Sequence, residues 1–201
     1  MIATFYNHRI KEEIVKSQKS IFDLYNQKIS QIFLNDWPGH GKAVDNYLNN
    51  LSEDWEYFML FDIDCIPLDK YIIPETIEWV KNNVGIFSVA QKASHIPNSI
   101  VYASPAFISF SRETYNLLGK PSFLPTSRSD CGAELTYIAN EKGIQVKLMY
   151  PTKVEVPKWE LNDKKMFGYG TNYENRIYHS FESRFNRNNL FINKCNEILN
   201  G

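Results

Sequence analysis

Between residues 2 and 90, short apolar runs alternate with longer stretches whose apolar residues recur at helical spacing. Ile2 to Tyr6 is apolar and β-prone, which predicts a strand. From Arg9 to Tyr25, the residues Ile10, Ile14, Ile21, Phe22 and Tyr25 recur near helical spacing, and Lys28 to Leu34 reads as a second strand. Asn35-Asp36-Trp37-Pro38-Gly39 then punctuates the chain, because Pro lacks a donor and Gly accepts dihedrals that other residues avoid, so a loop is expected over 35–41. Lys42 to Leu51 sets Ala43, Val44, Tyr47, Leu48 and Leu51 on one helical face. Tyr57 to Phe61 is apolar throughout, the pattern of a strand covered on both faces of a parallel sheet. A helix over Pro74 to Asn82 and a strand over Gly85 to Ala90 continue the alternation.

Further along the pattern weakens. Residues 91–105, with Pro97 and Pro105, read as a long connection, and Ala106 to Phe110 as a strand. Ser111 has the chemistry of an N-cap for a short helix that Gly119 closes. A second loop is expected over 120–129. Asp130 is placed to cap a helix running to Lys142, with Gly143 as its stop and Ile144 to Met149 as the next strand. Beyond Pro151 the chain is polar and aromatic, with a helix expected only from about Tyr173 or Asn188 onward. Strand and helix alternation of this kind predicts a three-layer α/β fold with a mainly parallel sheet, since parallel neighbours need crossover connections. Such sheets bind ligands at the carboxyl ends of their strands.

The 201 residues suit one domain, and a composition 43% hydrophobic against 22% charged supplies enough apolar surface for a core. Lys plus Arg number 22 and Asp plus Glu 23, so there is no basic excess, which argues against nucleic acid as a main partner. Cys65, Cys131 and Cys195 are odd in number and far apart, which argues against a disulfide framework or a thiolate zinc site and fits a reducing compartment. No apolar run approaches the roughly 18 residues of a membrane span, and MIATFYNHRIKEE lacks the pattern of an export signal. A cytoplasmic chain without a transmembrane segment is therefore expected.

The most informative stretch is Tyr57-Phe58-Met59-Leu60-Phe61-Asp62-Ile63-Asp64-Cys65-Ile66-Pro67. Two carboxylates at i and i+2 directly after a buried strand can both point into the crevice at the sheet edge. Hard oxygen donors there suit Mg²⁺ or Mn²⁺, with substrate phosphates completing the shell. An Asp-x-Asp pair alone is not distinctive; the apolar run before it, Pro67 after it and the two strand-helix units upstream are what single it out.

With His40-Gly41-Lys42-Ala43-Val44-Asp45-Asn46 opening a helix, then the apolar strand and Asp62-Ile63-Asp64, residues 1–150 resemble the GT-A glycosyltransferases, which use nucleotide sugars. Ser129-Asp130-Cys131-Gly132-Ala133-Glu134-Leu135 resembles the acceptor-side helix of that superfamily. The resemblance implies one Rossmann-like, GT-A domain over 1–201: a nucleotide-sugar-binding half at 1–90, an acceptor-side half at 91–150 and a C-terminal lid and helix at 151–201. It implies Asp64 as principal metal ligand, Asp62 on the ribose or the metal, and His179 as a further ligand for Mn²⁺ or Mg²⁺. Thr4, Tyr6, Asn7 and Asp36 would meet the nucleotide. Lys42 and His40 at a helix start would meet phosphate, helped by the helix N-terminal amides, and Arg184 and Arg187 would help to neutralise it.

Transfer must stabilise a departing nucleoside diphosphate, which a metal does as a Lewis acid, and an inverting reaction also needs a base for the acceptor hydroxyl. Asp130 is the candidate base, with Glu134 in reserve; in a retaining enzyme Asp130 would bind sugar or acceptor instead. UDP sugars are the commonest donors of the superfamily, and the acceptor is a saccharide or another hydroxyl compound. Trp159, Phe167, Tyr169 and Tyr173, with Gly168 and Gly170, form an aromatic set suited to stacking on sugars or closing over the donor. Two alternatives stay open: a phosphohydrolase of the haloacid dehalogenase type, which also carries an Asp-x-Asp after a strand, and a module that binds a nucleotide sugar without turnover.

Overall fold

The computed structural model describes residues 1–162, 165–182 and 188–201. Its first half follows the apolar periodicity closely: β1 (Ile2–Tyr6), α1 (Glu12–Leu24), β2 (Ser30–Phe33), α2 (His40–Asn49), β3 (Tyr57–Phe61), a short β4 (Cys65–Pro67), α3 (Ile72–Asn82) and β5 (Gly85–Lys92). Next come β6 (Val101–Ser111), α4 (Arg112–Leu118), α5 (Glu134–Glu141) and β7 (Gln145–Met149), then β8 (Pro151–Asn162), β9 (Lys165–Tyr173), β10 (Ile177–His179) and α6 (Asn188–Asn200).

The central sheet has the order β2-β1-β3-β6-β5-β7. Only β6 runs against its neighbours, so the sheet is mainly parallel. Side chains alternate across β3: Met59 and Phe61 enter a core layer with Phe22 of α1 and Ile72, Ile73 and Val80 of α3, while Phe58 and Leu60 enter the opposite layer with Val44, Leu118 and Leu135. These four β3 side chains are fully buried, each worth about 1.5–3 kcal/mol as apolar area removed from water. This is the three-layer arrangement that the unbroken apolar run implies.

Three expectations are corrected. The connection expected over 91–105 is shorter, because β5 runs to Lys92 and β6 begins at Val101. Pro105 is tolerated inside β6 because the ladder with β5 slips there, between Ser88 and Ala90, and the Ser88 hydroxyl donates to the Ser104 and Phe107 carbonyls. Asp130 does not cap a helix: α5 starts at Glu134 with Ala133 at its N-cap, and the Asp130 carboxylate instead accepts from the Cys131 amide at 2.7 Å. The third correction is the largest. Residues 151–179, expected as irregular and partly helical, form β8, β9 and β10, which with β4 make an antiparallel sheet of order β4-β10-β9-β8.

That sheet changes the standing of the aromatic set. Phe167, Tyr169 and Tyr173 are buried, and Trp159 packs on Phe167, Tyr169 and Phe181, so these rings fill a core and are not free to stack on a ligand. Gly168 lies within β9, where a Cβ would stand 2.3 Å from the Val156 carbonyl oxygen; close strand packing, not lid motion, is what requires it. Among the described residues no helix is long and apolar enough to cross a membrane.

Candidate functional site

Asp62, Ile63, Asp64 and Cys65 form a tight turn between β3 and β4, closed by the Cys65 amide donating to the Asp62 carbonyl at 3.0 Å. Asp62 N donates to the Ala106 carbonyl at 2.8 Å, and Ser180 N donates to the Asp64 carbonyl at 3.0 Å. The second bond ties the turn to the second sheet, where β10 runs antiparallel to β4 with His179 opposite Cys65. That pairing brings His179, 115 residues from Asp64 in the chain, to the acidic pair.

His179 Nε2 lies 3.1 Å from Asp64 Oδ1 and 3.4 Å from Asp62 Oδ2. One donor atom from each of the three side chains falls within 4.8 Å of the other two, the one such cluster among the described residues. Asp64 and His179 are buried and Asp62 is about a quarter exposed, so the cluster opens to solvent through Asp62. The His179 ring packs on Phe181 at a centroid distance of 3.7 Å, and its Nδ1 is buried with no hydrogen-bond partner among the described residues. Burial disfavours charge on this imidazole, yet the Asp64 charge and hydrogen bonds to Asp62 and Asp64 outweigh it and hold the group up at about 9. A positive charge is therefore favoured between the carboxylates, and in the metal-free protein a proton supplies it.

Two carboxylate oxygens and one imidazole nitrogen suit Mn²⁺ or Mg²⁺ with open positions left for ligand oxygens. The cluster lines a cavity of about 250 Å³ at the carboxyl ends of β1 and β3. Tyr6 and Asn7 from the end of β1 and His40 from the first turn of α2 share that lining. His40 Nδ1 lies 3.3 Å from Asp62 Oδ1. The start of α2 is fixed by close approach, since a Cβ on Gly41 would meet the Phe123 carbonyl oxygen at 2.4 Å, and by Asp45, which accepts from the Phe123 amide at 2.8 Å and from the Ser122 hydroxyl.

Other expected residues stand apart from this lining. Thr4 is fully buried in β1 and its hydroxyl has no partner among the described residues. Asp36 and Lys42 are exposed and do not line the cavity, and Arg184 and Arg187 lie outside the described residues. Asp130 is half-buried beside Tyr102, whose hydroxyl donates to it at 3.4 Å. Burial, then the charges of Asp62 and Asp130, push the Cys131 thiol up to about 12, which sets that thiol within the field of both carboxylates. Glu134 is engaged elsewhere: Arg128 Nε donates to it at 3.1 Å and Ser129 Oγ at 2.8 Å, and the Arg128 bonds hold its carboxyl below the usual range, which makes it a poor proton acceptor. Residue-by-residue reading missed Arg9, Trp37, Phe181 and Glu182 in the cavity. Trp37 stood in the loop that Pro38 and Gly39 announced and was recoverable; Phe181 and Glu182 had no signal, because the strand that leads to them was not anticipated.

No protein-family model and no curated protein matches the sequence. Among solved structures, the chain is similar to the mannosyltransferase PcManGT from Pyrobaculum calidifontis, described in complex with GDP-Man and Mn²⁺, at 12% identity and a TM-score of 0.49 over 73% of this chain. It spans 54% of that protein's length. It is similar also to the catalytic domain of Drosophila β1,4-galactosyltransferase 7, described in complex with xylobiose, at 13% identity and a TM-score of 0.48, covering 94% of this chain and 78% of that one. A197 from STIV is a third such structure, at 9% identity and a TM-score of 0.46, covering 90% and 94%.

Proposed function

We propose that this chain is a metal-dependent glycosyltransferase that takes its sugar from a nucleoside-diphosphate sugar. The observation that carries the reading is the convergence of Asp62, Asp64 and His179 within 4.8 Å, lining a cavity at the carboxyl ends of parallel strands. Asp62, Asp64 and His179 would hold a divalent cation, whose chemistry when bound would be Lewis-acid neutralisation of a diphosphate leaving group.

The remaining work falls to the chain itself. Tyr6, Asn7 and Trp37, which line the cavity, are proposed to bound the space for a base and ribose. His40, in the first turn of α2, and Arg9, which also lines the cavity, offer positive or hydrogen-bonding groups to phosphate oxygens. Asp130 is the proposed base for the acceptor hydroxyl in an inverting transfer, with residues 1–90 holding the donor and 91–150 facing the acceptor. UDP is the proposed nucleotide. The phosphohydrolase alternative calls for a lysine, and among the described residues none lines the cavity.

Calorimetric titration of UDP with and without Mn²⁺ tests the reading. Asp64→Ala should abolish the Mn²⁺-dependent part of UDP binding, and undiminished affinity rejects the metal role. Release of UDP from a panel of UDP sugars, against release of phosphate from sugar phosphates, separates transfer from phosphate hydrolysis, and binding without either product favours the non-catalytic module.

A further inference from the structure

We propose that Gln18 is the positioning residue of the Asp62–Cys65 turn, acting through backbone carbonyls while Gln31 fixes the orientation of its amide. The inference rests on the metal reading given above.

Helix α1 is amphipathic, and among the residues it buries Gln18 is the polar exception, fully buried alongside Ile14, Ile21 and Phe22. A primary amide is costly to bury unless its groups are bonded. Here they are. Gln18 Nε2 donates to the Asp62 carbonyl at 2.8 Å and to the Cys65 carbonyl at 3.0 Å. Its Oε1 accepts from Gln31 Nε2 at 3.1 Å, and Gln31 Nε2 also donates to the Val15 carbonyl at 2.9 Å. The two ends of an amide have nearly the same shape, so its direction is set by its partners. Two carbonyls can only accept and the Gln31 amino group can only donate, so one orientation satisfies all of them.

The consequence lies in what those carbonyls bracket. They belong to the first and last residues of the turn: Asp64 leaves the backbone between them, and Asp62 leaves it at the Cα that carries the first of them. One side chain therefore spans the turn and holds the backbone from which both carboxylates leave, without itself lining the cavity. Packing alone would be served by an apolar residue of the same length. The amide is required for holding the two carbonyls at a set separation, and outer groups that orient metal ligands typically change metal affinity by about 10–100-fold when removed, the range against which this backbone support is measured.

The test uses the full chain and Mn²⁺ alone, with affinity measured by calorimetry and the bound ion followed by electron paramagnetic resonance. Gln18→Met keeps the length and removes the donors; it should lose at least about tenfold in Mn²⁺ affinity and alter the spectrum of the bound ion. Leu118→Ala, a cavity in the core layer on the other side of the sheet, should lower the melting temperature and leave Mn²⁺ affinity at the parent value. Parent-like affinity in Gln18→Met, or an equal loss in Leu118→Ala, overturns the proposal. If Gln18→Met does not fold, Gln31→Leu, which removes only the orienting donor, carries the test: a weaker but measurable loss of affinity supports the proposal and none overturns it. A parent chain that binds no Mn²⁺ overturns the metal reading and this inference together, whereas a binding parent with an unaffected Gln18→Met overturns this inference alone.

Discussion

Raising the pH of the metal-free protein and adding Mn²⁺ both act on Nε2 of His179, and they should move two observables in opposite directions. Burial works against the imidazolium, but Asp64 and Asp62 together hold the group at about 9, against an ordinary value of 6.5. A group raised in the folded state contributes stability that is complete below its unfolded value and is lost as the pH climbs through its folded one, here from 6.5 to about 9. A shift of that size corresponds to about 3 kcal/mol. Urea unfolding of the metal-free chain should therefore show a loss of that order across this window, and His179→Gln should lack it. Mn²⁺ needs the same nitrogen without its proton, so its affinity should rise about tenfold per pH unit, or about 100-fold from pH 6 to pH 8. Calorimetry in two buffers of different ionisation enthalpy at pH 7 should count about one proton released per Mn²⁺ bound. Mn²⁺ affinity that is flat over this range, or binding without proton release, refutes the assignment of His179 as a ligand.

Two further outcomes concern the proposed base and the β8–β9 packing. Asp130→Asn should leave Mn²⁺-dependent UDP binding intact and slow sugar transfer by about 100-fold or more, as for loss of a general base, and a normal transfer rate rejects that role. Gly168→Ala places a Cβ 2.3 Å from the Val156 carbonyl oxygen and 2.7 Å from the Lys158 amide nitrogen. Both are backbone atoms that no rotamer can move aside, so the cost should be about 1–3 kcal/mol, read as a fall of several degrees in melting temperature. An unchanged melting temperature would mean that β8 and β9 separate freely there.

The elements that were legible in the chain are those whose signals are local. Tyr57 to Phe61 announced a strand buried on both faces because every side chain in it is apolar, and β3 divides them between two core layers. Ser111 and Gly119 announced the limits of a short helix, and the structure gives the reason for each: the Ser111 hydroxyl accepts from the Thr114 amide at 3.1 Å, and Gly119 takes a φ of 89° that disfavours a side chain. Asp62 and Asp64 were legible as a pair because their spacing and the apolar run before them sit in one stretch of chain.

What could not be read was whatever depends on partners distant in sequence. Strand β8 is mostly exposed, so it carries no apolar periodicity, and its hydrogen bonds to β9 alone make it a strand. The approach of His179 to Asp64 follows from that same sheet, because β10 pairs with β4 and delivers the imidazole to a turn more than a hundred residues away. Gln18 stands among polar neighbours in Lys16-Ser17-Gln18-Lys19-Ser20, and nothing in that run distinguishes it from a solvated residue. Its burial and its two carbonyl partners come from how α1 lies across the ends of β3 and β4. The sequence by itself thus determined the alternating scaffold and the acidic pair, through periodicity and turn chemistry within a few residues. Tertiary structure decided how His179, named only through the resemblance, meets that pair and what supports the turn beneath it, since both are contacts between segments that only long-range pairing and packing bring together.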